Sequence, residues 1–496
     1  MLSLIVLLPL AAAVVLALVR GIGDTAARRL GVAVSGVDLV LVVVLWIAYA
    51  DPGPGRLAFE EQVPWIPGVN SSYHVGVDGL SLPLVAMTAV IFLACAVYDL
   101  REQRRPRVRT ALFLFLLSVS LGLFVAADLI LFFVFFDLSI VGMYFVIAGW
   151  GHGNAARSAL KFFLYTFLGS LALLAGFIGL YVAADPHTFD MVELAASTPL
   201  AGSGVAGGAV LGAIVLGLAV KTPTFPFHTW LPPAHTDAPA SGSAVLAGVL
   251  LKMGTYGFVR IAMPMLPDAW RSWAWVIIAI GVVSVLYGAL VALAQSNFKR
   301  MVAYTSVNHM GYIAVAVGVA GLVSATDAEA RGVAVTGAVT QMVSHGLITG
   351  ALFLAAGVLQ DRGSSYDLDA YGGLAAPAPK YAAVFAVGAF ASLGLPGLSG
   401  FIAEFQIFTG SIAAAPVTAV GLLGILVTAA LFLRALQRLF TGSVRGLSEG
   451  FTDLRPTELW SAGSLLLLSL AIGVVPRPLL DVIEPGAKAL VELVGR

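Results

Sequence analysis

Long apolar runs alternate with short polar loops along the whole chain. Runs able to cross a hydrocarbon core, about 17–25 residues each, fall near 2–19, 31–50, 79–99, 110–127, 128–148, 158–184, 206–222, 242–263, 270–294, 301–322, 331–359, 379–410, 415–440 and 458–476. The pattern predicts an all-α polytopic membrane protein of about fourteen transmembrane helices. The seventh and twelfth runs are the least regular, because prolines interrupt them. The first run, MLSLIVLLPLAAAVVLALVR, has no basic residue before Arg20 and reads as a retained span, not a cleaved leader.

The loops give the orientation, since Lys and Arg favour the cytoplasmic side. Basic clusters follow odd spans only: Arg20, Arg28 and Arg29; Arg101 to Arg109; Arg157; Lys299 and Arg300; Arg362 and Lys380; Arg445 and Arg455. Fourteen spans with both termini outside satisfy all of them. Composition agrees: the chain is 59% hydrophobic and 11% charged, with mean hydropathy +0.96, whereas soluble domains carry about 25% charged residues. Its 27 basic and 27 acidic residues leave no basic face for nucleic acid. The single cysteine, Cys95, excludes an intrachain disulfide and a cysteine-ligated iron–sulfur cluster on this chain alone.

Two polar stretches lie outside the spans. Residues 51–75 suit an external hairpin, but Pro64 and Pro67 argue against strands there. The amphipathic tail after residue 477 is expected along the outer surface. GSGVAG (202–207) matches GxGxxG, yet it lacks the strand that a nucleotide fingerprint needs, and chance accounts for it.

Against this apolar background a few ionisable residues stand near mid-span: Asp137, Lys221, Lys252, His309, His345 and Glu404. Intramembrane charges are costly and mark function by default, and two of only six lysines are here. Burial disfavours the charged form and an opposite charge restores it, so a lysine under both influences is switched by moving its partner. Histidines suit the links of such a relay. For His309 and His345 taken singly, a ring satisfied by a helix carbonyl, with Ser306 and Gln341 as polar neighbours, accounts for the sequence equally well. His228 and His235 flank the proline-rich break as members of an access path or as loop residues. Lys161 lies near a span end and is expected to snorkel.

Non-helical backbone at membrane depth is tolerated only inside protein or along a cavity. KTPTFPFHTWLP breaks span seven beside Lys221, and SLGLPGLSGFIAEF breaks span twelve before Glu404. Matching interruptions point to an inverted-repeat transporter. The expected division is an N-terminal three-helix segment (1–109), a first half (110–263), an inverted second half (264–440), and a last helix with its tail (441–496). Spans 4–8 and 9–13 form the two five-helix repeats, with helices 7 and 12 discontinuous.

HVGVDGLSLPL (74–84), the KTPTFPFHTWLPPAHTDAP run (221–239), LLKMGTYG (250–257), FKRMVAYTSVNHMG (298–311) and GLPGLSGFIAEF (394–405) resemble the antiporter-like membrane subunits of respiratory complex I, nearest to its subunit M type. The resemblance implies a proton-translocating subunit of a bacterial NADH:quinone oxidoreductase in the plasma membrane. It implies that Lys221 pairs with the acid of span five, here Asp137, that Lys252 and His309 link two half-channels with His345 on the same axis, and that Glu404 is the external proton site. It places FMN, iron–sulfur clusters and quinone on partner subunits, with no cofactor or metal on this chain. The implied partners are L-like and N-like antiporter subunits and small membrane subunits. A subunit of a Mrp-type sodium/proton antiporter or a membrane-bound hydrogenase is the nearest alternative, and a non-conducting spacer is the alternative of another class. The span-five acid is usually glutamate in this group. With Asp137 one methylene shorter, either helix five sits closer to helix seven or the contact is looser.

Overall fold

The computed structural model describes residues 1–323 and 328–496. It is a bundle of helices with one two-stranded antiparallel hairpin among the described residues. Eleven helices there are long and apolar enough to cross a membrane. Those used below are α2 (Asp24–Ala48), α3 (Leu82–Tyr98), α4 (Pro106–Val125), α5 (Leu129–Trp150), α6 (Ala155–Ala183), α8 (Gly204–Lys221), α10 (Ala240–Met265), α11 (Pro267–Leu293), α13 (Ala328–Gly363), α16 (Leu422–Phe440) and α17 (Pro456–Val474). Helices also cover the other three expected spans: α1 (Leu2–Leu18), α12 (Phe298–Val319), and the pair α14 (Pro379–Ser392) and α15 (Ser399–Ala414). Short helices α7 (Met191–Ser197) and α9 (Leu231–Asp237) lie between spans, and α18 (Arg477–Gly495) ends the chain.

The centre is built from the least lipid-facing segments. The most apolar window of α13 is wholly buried and that of α10 nearly so, whereas those of α2, α16 and α17 are one-third buried. Polar positions collect on the central helices because only protein neighbours can satisfy them there.

Both expected breaks are present. The first lies between Lys221, the last residue of α8, and Leu231 of α9; the second lies between Ser392 and Ser399. Backbone groups freed at the first break find partners: the Phe225 amide donates to Ser284 Oγ of α11 (2.9 Å), Trp230 Nε1 donates to the Val220 carbonyl (2.9 Å), and Lys161 Nζ donates to the Thr229 carbonyl (2.8 Å). Lys161, exposed near the start of α6 as a snorkelling lysine would be, thus also ties that helix to the loop of the break.

The hairpin corrects one expectation. Strands β1 (Ala58–Ile66) and β2 (Ser71–Val77) pair antiparallel despite Pro64. A proline is tolerated on a two-stranded ribbon because one side of each strand needs no donor. Shifts in register at both ends of the Ala58–Ile66 strand accommodate the irregularity. Helix caps hold the hairpin down: Asp128 caps α5 and also accepts from Ser71 Oγ and the Ser72 amide, both at 3.0 Å. The tail forms α18, whose Leu479, Ile483, Ala487, Leu490 and Val494 are buried as one apolar stripe.

Candidate functional site

Four of the six mid-span residues form one contiguous file. Lys252 Nζ lies 2.6 Å from His345 Nδ1, the His345 and His309 rings meet edge to face at 5.2 Å, and His309 Nε2 is 3.8 Å from Glu404 Oε1. These residues come from α10, α13, α12 and α15, and all are buried. While Lys252 is an ammonium it can only donate, so in that state His345 Nδ1 accepts and the ring proton sits on Nε2. Neither nitrogen of His309 makes a well-formed hydrogen bond, and His345 Nε2 makes none. The His345 ring is thus held by Lys252 and not by a helix carbonyl, whereas His309 has the Ser392 carbonyl beside it. The order along the file is Lys252, His345, His309, Glu404, so His345 stands between the lysine and the second histidine.

Local backbone irregularity sets the lysine at the head of the file. Two π-helical turns, Leu246–Leu250 and Phe258–Ala262, flank it in α10. Such turns leave carbonyls without their usual i+4 donors and recur at functional sites. The carbonyl of Ala247, in the first turn, accepts from Lys252 Nζ at 2.5 Å. At the other end, the loop between α14 and α15 folds over Glu404. Gly394 has φ +76°, and a Cβ there would stand 2.5 Å from Glu404 Oε2. Ser399 Oγ, at the start of α15, bonds Ser344 Oγ (2.8 Å) and Ser469 Oγ (2.7 Å), fixing the half-helix against α13 and α17.

Asp137 and Lys221 form a separate centre. Lys221 Nζ donates to Ser139 Oγ at 2.8 Å and lies 4.7 Å from the Phe136 ring centroid. It makes no ion pair with Asp137 among the described residues, and Asp137 Oδ1 has no hydrogen-bond partner. Of the two arrangements left open by the short acid, the looser one is realised. The aspartate still acts on Lys221 through space. Helices α8 and α10 touch at backbone range, since a Cβ on Gly254 would meet the Leu218 carbonyl at 2.8 Å. No hydrogen bond joins Lys221 to Lys252 among the described residues. His228 is buried in an aromatic box with Phe225, Tyr287 and Tyr304, its ring 4.9 Å from Tyr287.

Two polar residues, Lys299 and Tyr312, escaped the sequence reading, and a third, His235, was left there as access path or loop. Lys299, counted there among loop cations, is wholly buried: its Nζ donates to the Ala238 carbonyl and lies 5.1 Å from the Tyr366 ring. His235 is also wholly buried, stacked on Phe353 at 4.4 Å with both ring nitrogens unpartnered, and it feels the charges of Lys299 and Lys252. Tyr312, 5.6 Å from His309, has an unpartnered hydroxyl. The HTDAP motif carried a signal for His235. Lys299 stood beside Arg300 at a helix start, and nothing in that dipeptide separates a buried cation from an exposed one.

Residues 126–431 match the family model described as NADH:quinone oxidoreductase/Mrp antiporter, TM. The chain belongs to this family. It is 37% identical to F(420)H(2) dehydrogenase subunit M of Methanosarcina mazei, over 99% of this chain and 98% of that one. It is 38% identical to NADH-quinone oxidoreductase subunit M of Rhodobacter capsulatus, over 99% and 96% respectively. A chain of respiratory complex I from Thermus thermophilus superposes over the full length of both chains with TM-score 0.88 and 31% identity.

Proposed function

We propose that this chain is the proton-translocating, M-type subunit of the membrane arm of a bacterial NADH:quinone oxidoreductase. It lies in the plasma membrane with its arginine-rich loops in the cytoplasm and both termini outside. Protons enter from the cytoplasm to Lys221 and Lys252, with His228 and the buried pair His235 and Lys299 on the access routes. They pass through His345 and His309 to Glu404 and leave outside. The observation that carries this reading is the Lys252–His345–His309–Glu404 file across the second broken helix. An imidazole that accepts on one nitrogen and releases from the other moves a proton along such a file. The edge-to-face gap between the rings is crossed by ring rotation or one water.

The relay needs a drive. Asp137 acts on Lys221 across a gap, so a small shift of α5 or of its charge changes how firmly Lys221 holds its proton. The two expected halves meet at α8 and α11, where Ser284 holds the first break, and this supports coupling between them. Flavin, iron–sulfur and quinone chemistry belongs to partner chains, and the neighbours in the membrane arm are L-like and N-like antiporter subunits and small membrane subunits.

The test is Lys221→Ala and Lys252→Ala in the assembled complex, reconstituted in vesicles. Each variant is expected to keep electron transfer to quinone and move fewer protons per electron. An unchanged ratio in both overturns the assignment. A Mrp-type role would instead show sodium-dependent proton flux without electron transfer. The near-full-length likeness to subunit M chains favours the oxidoreductase, and the polar file argues against a spacer, which has no use for four costly buried groups.

A further inference from the structure

We propose that Asp38 is a second proton-binding site, separate from the Lys221 to Glu404 path and loaded from the arginine-rich side. Asp38 lies in the middle of α2, wholly buried, and neither carboxylate oxygen has a hydrogen-bond partner. It supports no cap, pair or network, so structure alone gives no reason for a carboxyl group there. A buried carboxyl with no donor and no cation is stable as the neutral acid and very costly as the anion.

A cleft ends one helical turn short of it on one side, and an apolar wall lies on the other. Gly31 and Ser35, on the same face of α2, line a cleft of about 30 Å³ with Thr110 of α4 and Phe92 of α3, room for about one water. Its mouth is charged, and every charge there is engaged elsewhere: Arg28 donates to the Glu102 carbonyl (2.6 Å), and Arg109 is held by Asp99 (2.9 Å) and Glu102 (2.5 Å). Helix α1, also packed on α2, carries no titratable side chain. Asp38 stands one turn beyond Ser35. Past it, Leu39, Val42 and Trp46 line an almost wholly apolar groove of about 660 Å³, which offers a proton no carrier. The carboxylate takes a proton from a hydronium ion in the cleft, giving the acid and water, and returns it by the same way.

The test uses the assembled complex in native membranes and dicyclohexylcarbodiimide. This apolar reagent adds the O–H of a protonated carboxyl across its C=N bond and rearranges to an N-acylurea, with no leaving group. The peptide containing Asp38 is expected to gain one reagent mass, less so as pH rises, and to lose the adduct in Asp38→Asn. Gly31→Leu fills the cleft, since its Cβ falls 2.5 Å from Thr110 Cγ2. It is expected to slow deuterium exchange of the Asp38 carboxyl, read from its infrared carbonyl band, by about tenfold. Ser35→Val serves if that variant fails to assemble. Absence of an adduct and of a carbonyl band at Asp38, or labelling independent of pH, overturns the proposal.

Discussion

His345 stands between Lys252 and His309, its Nδ1 2.6 Å from the lysine Nζ and its ring edge-to-face with the second histidine. One nitrogen is therefore engaged by the lysine, and the other has no hydrogen-bond partner. Replacing the ring breaks the file without removing either end.

His345→Leu is accordingly expected to slow proton translocation on the order of 100-fold, with quinone reduction retained under uncoupled conditions. Vesicle acidification measured against electron transfer checks it. A normal ratio in His345→Leu removes His345 from the path.

Gly394→Ala places a methyl group against Glu404 Oε2 at a positive φ. The left-handed backbone alone costs about 1–2 kcal/mol, and the carboxylate must move away from His309. Thermal unfolding at a lower temperature, together with reduced proton yield, is the expected pair of results. Glu404→Gln is expected to lose yield without the loss of stability, which separates the two effects.

Asp137→Glu restores the missing methylene and lengthens the side chain that acts on Lys221. It is expected to retain pumping, whereas Asp137→Asn is expected to abolish it. Equal activity of all three forms would show that Lys221 is governed by another charge.

Outside the membrane helices, His74 of the hairpin is 2% exposed and bridges Asp190 (2.6 Å) and Glu60 (2.7 Å). Burial draws its pKa down, but the two carboxylates outweigh burial and hold it above the ordinary 6.5. A raised folded pKa stabilises most at pH below about 6.5 and ceases to stabilise as pH climbs through the raised value. Hydrogen exchange of the Ser71–Val77 amides is thus expected to quicken on going from mildly acidic to alkaline pH. His74→Phe should flatten that dependence.

The apolar runs and both broken helices were legible because hydrocarbon admits few alternatives: each run must be a helix, and each Pro-rich interruption must sit within protein. The mid-span ions were legible for the same reason, as exceptions to a costly rule. What stayed hidden depended on three-dimensional partners. Asp38 sits in an ordinary-looking apolar run, and its isolation appears only when its neighbours are placed. The position of His345 between Lys252 and His309 depends on how α10, α12 and α13 face one another. The hairpin was obscured by Pro64, whose penalty falls away on a ribbon with free edges.

The two π-helical turns of α10 have a consequence for how the chain tolerates change. Each adds one residue to a turn, and one residue is about 100° of helix rotation. The segment Leu251–Gly257 between them is thus a cassette whose heading is set by residue count and not by side-chain identity. Conservative substitutions within Leu246–Leu250 leave Lys252 aimed at His345. Deletion of a single residue there, with every polar side chain intact, turns the lysine out of the file.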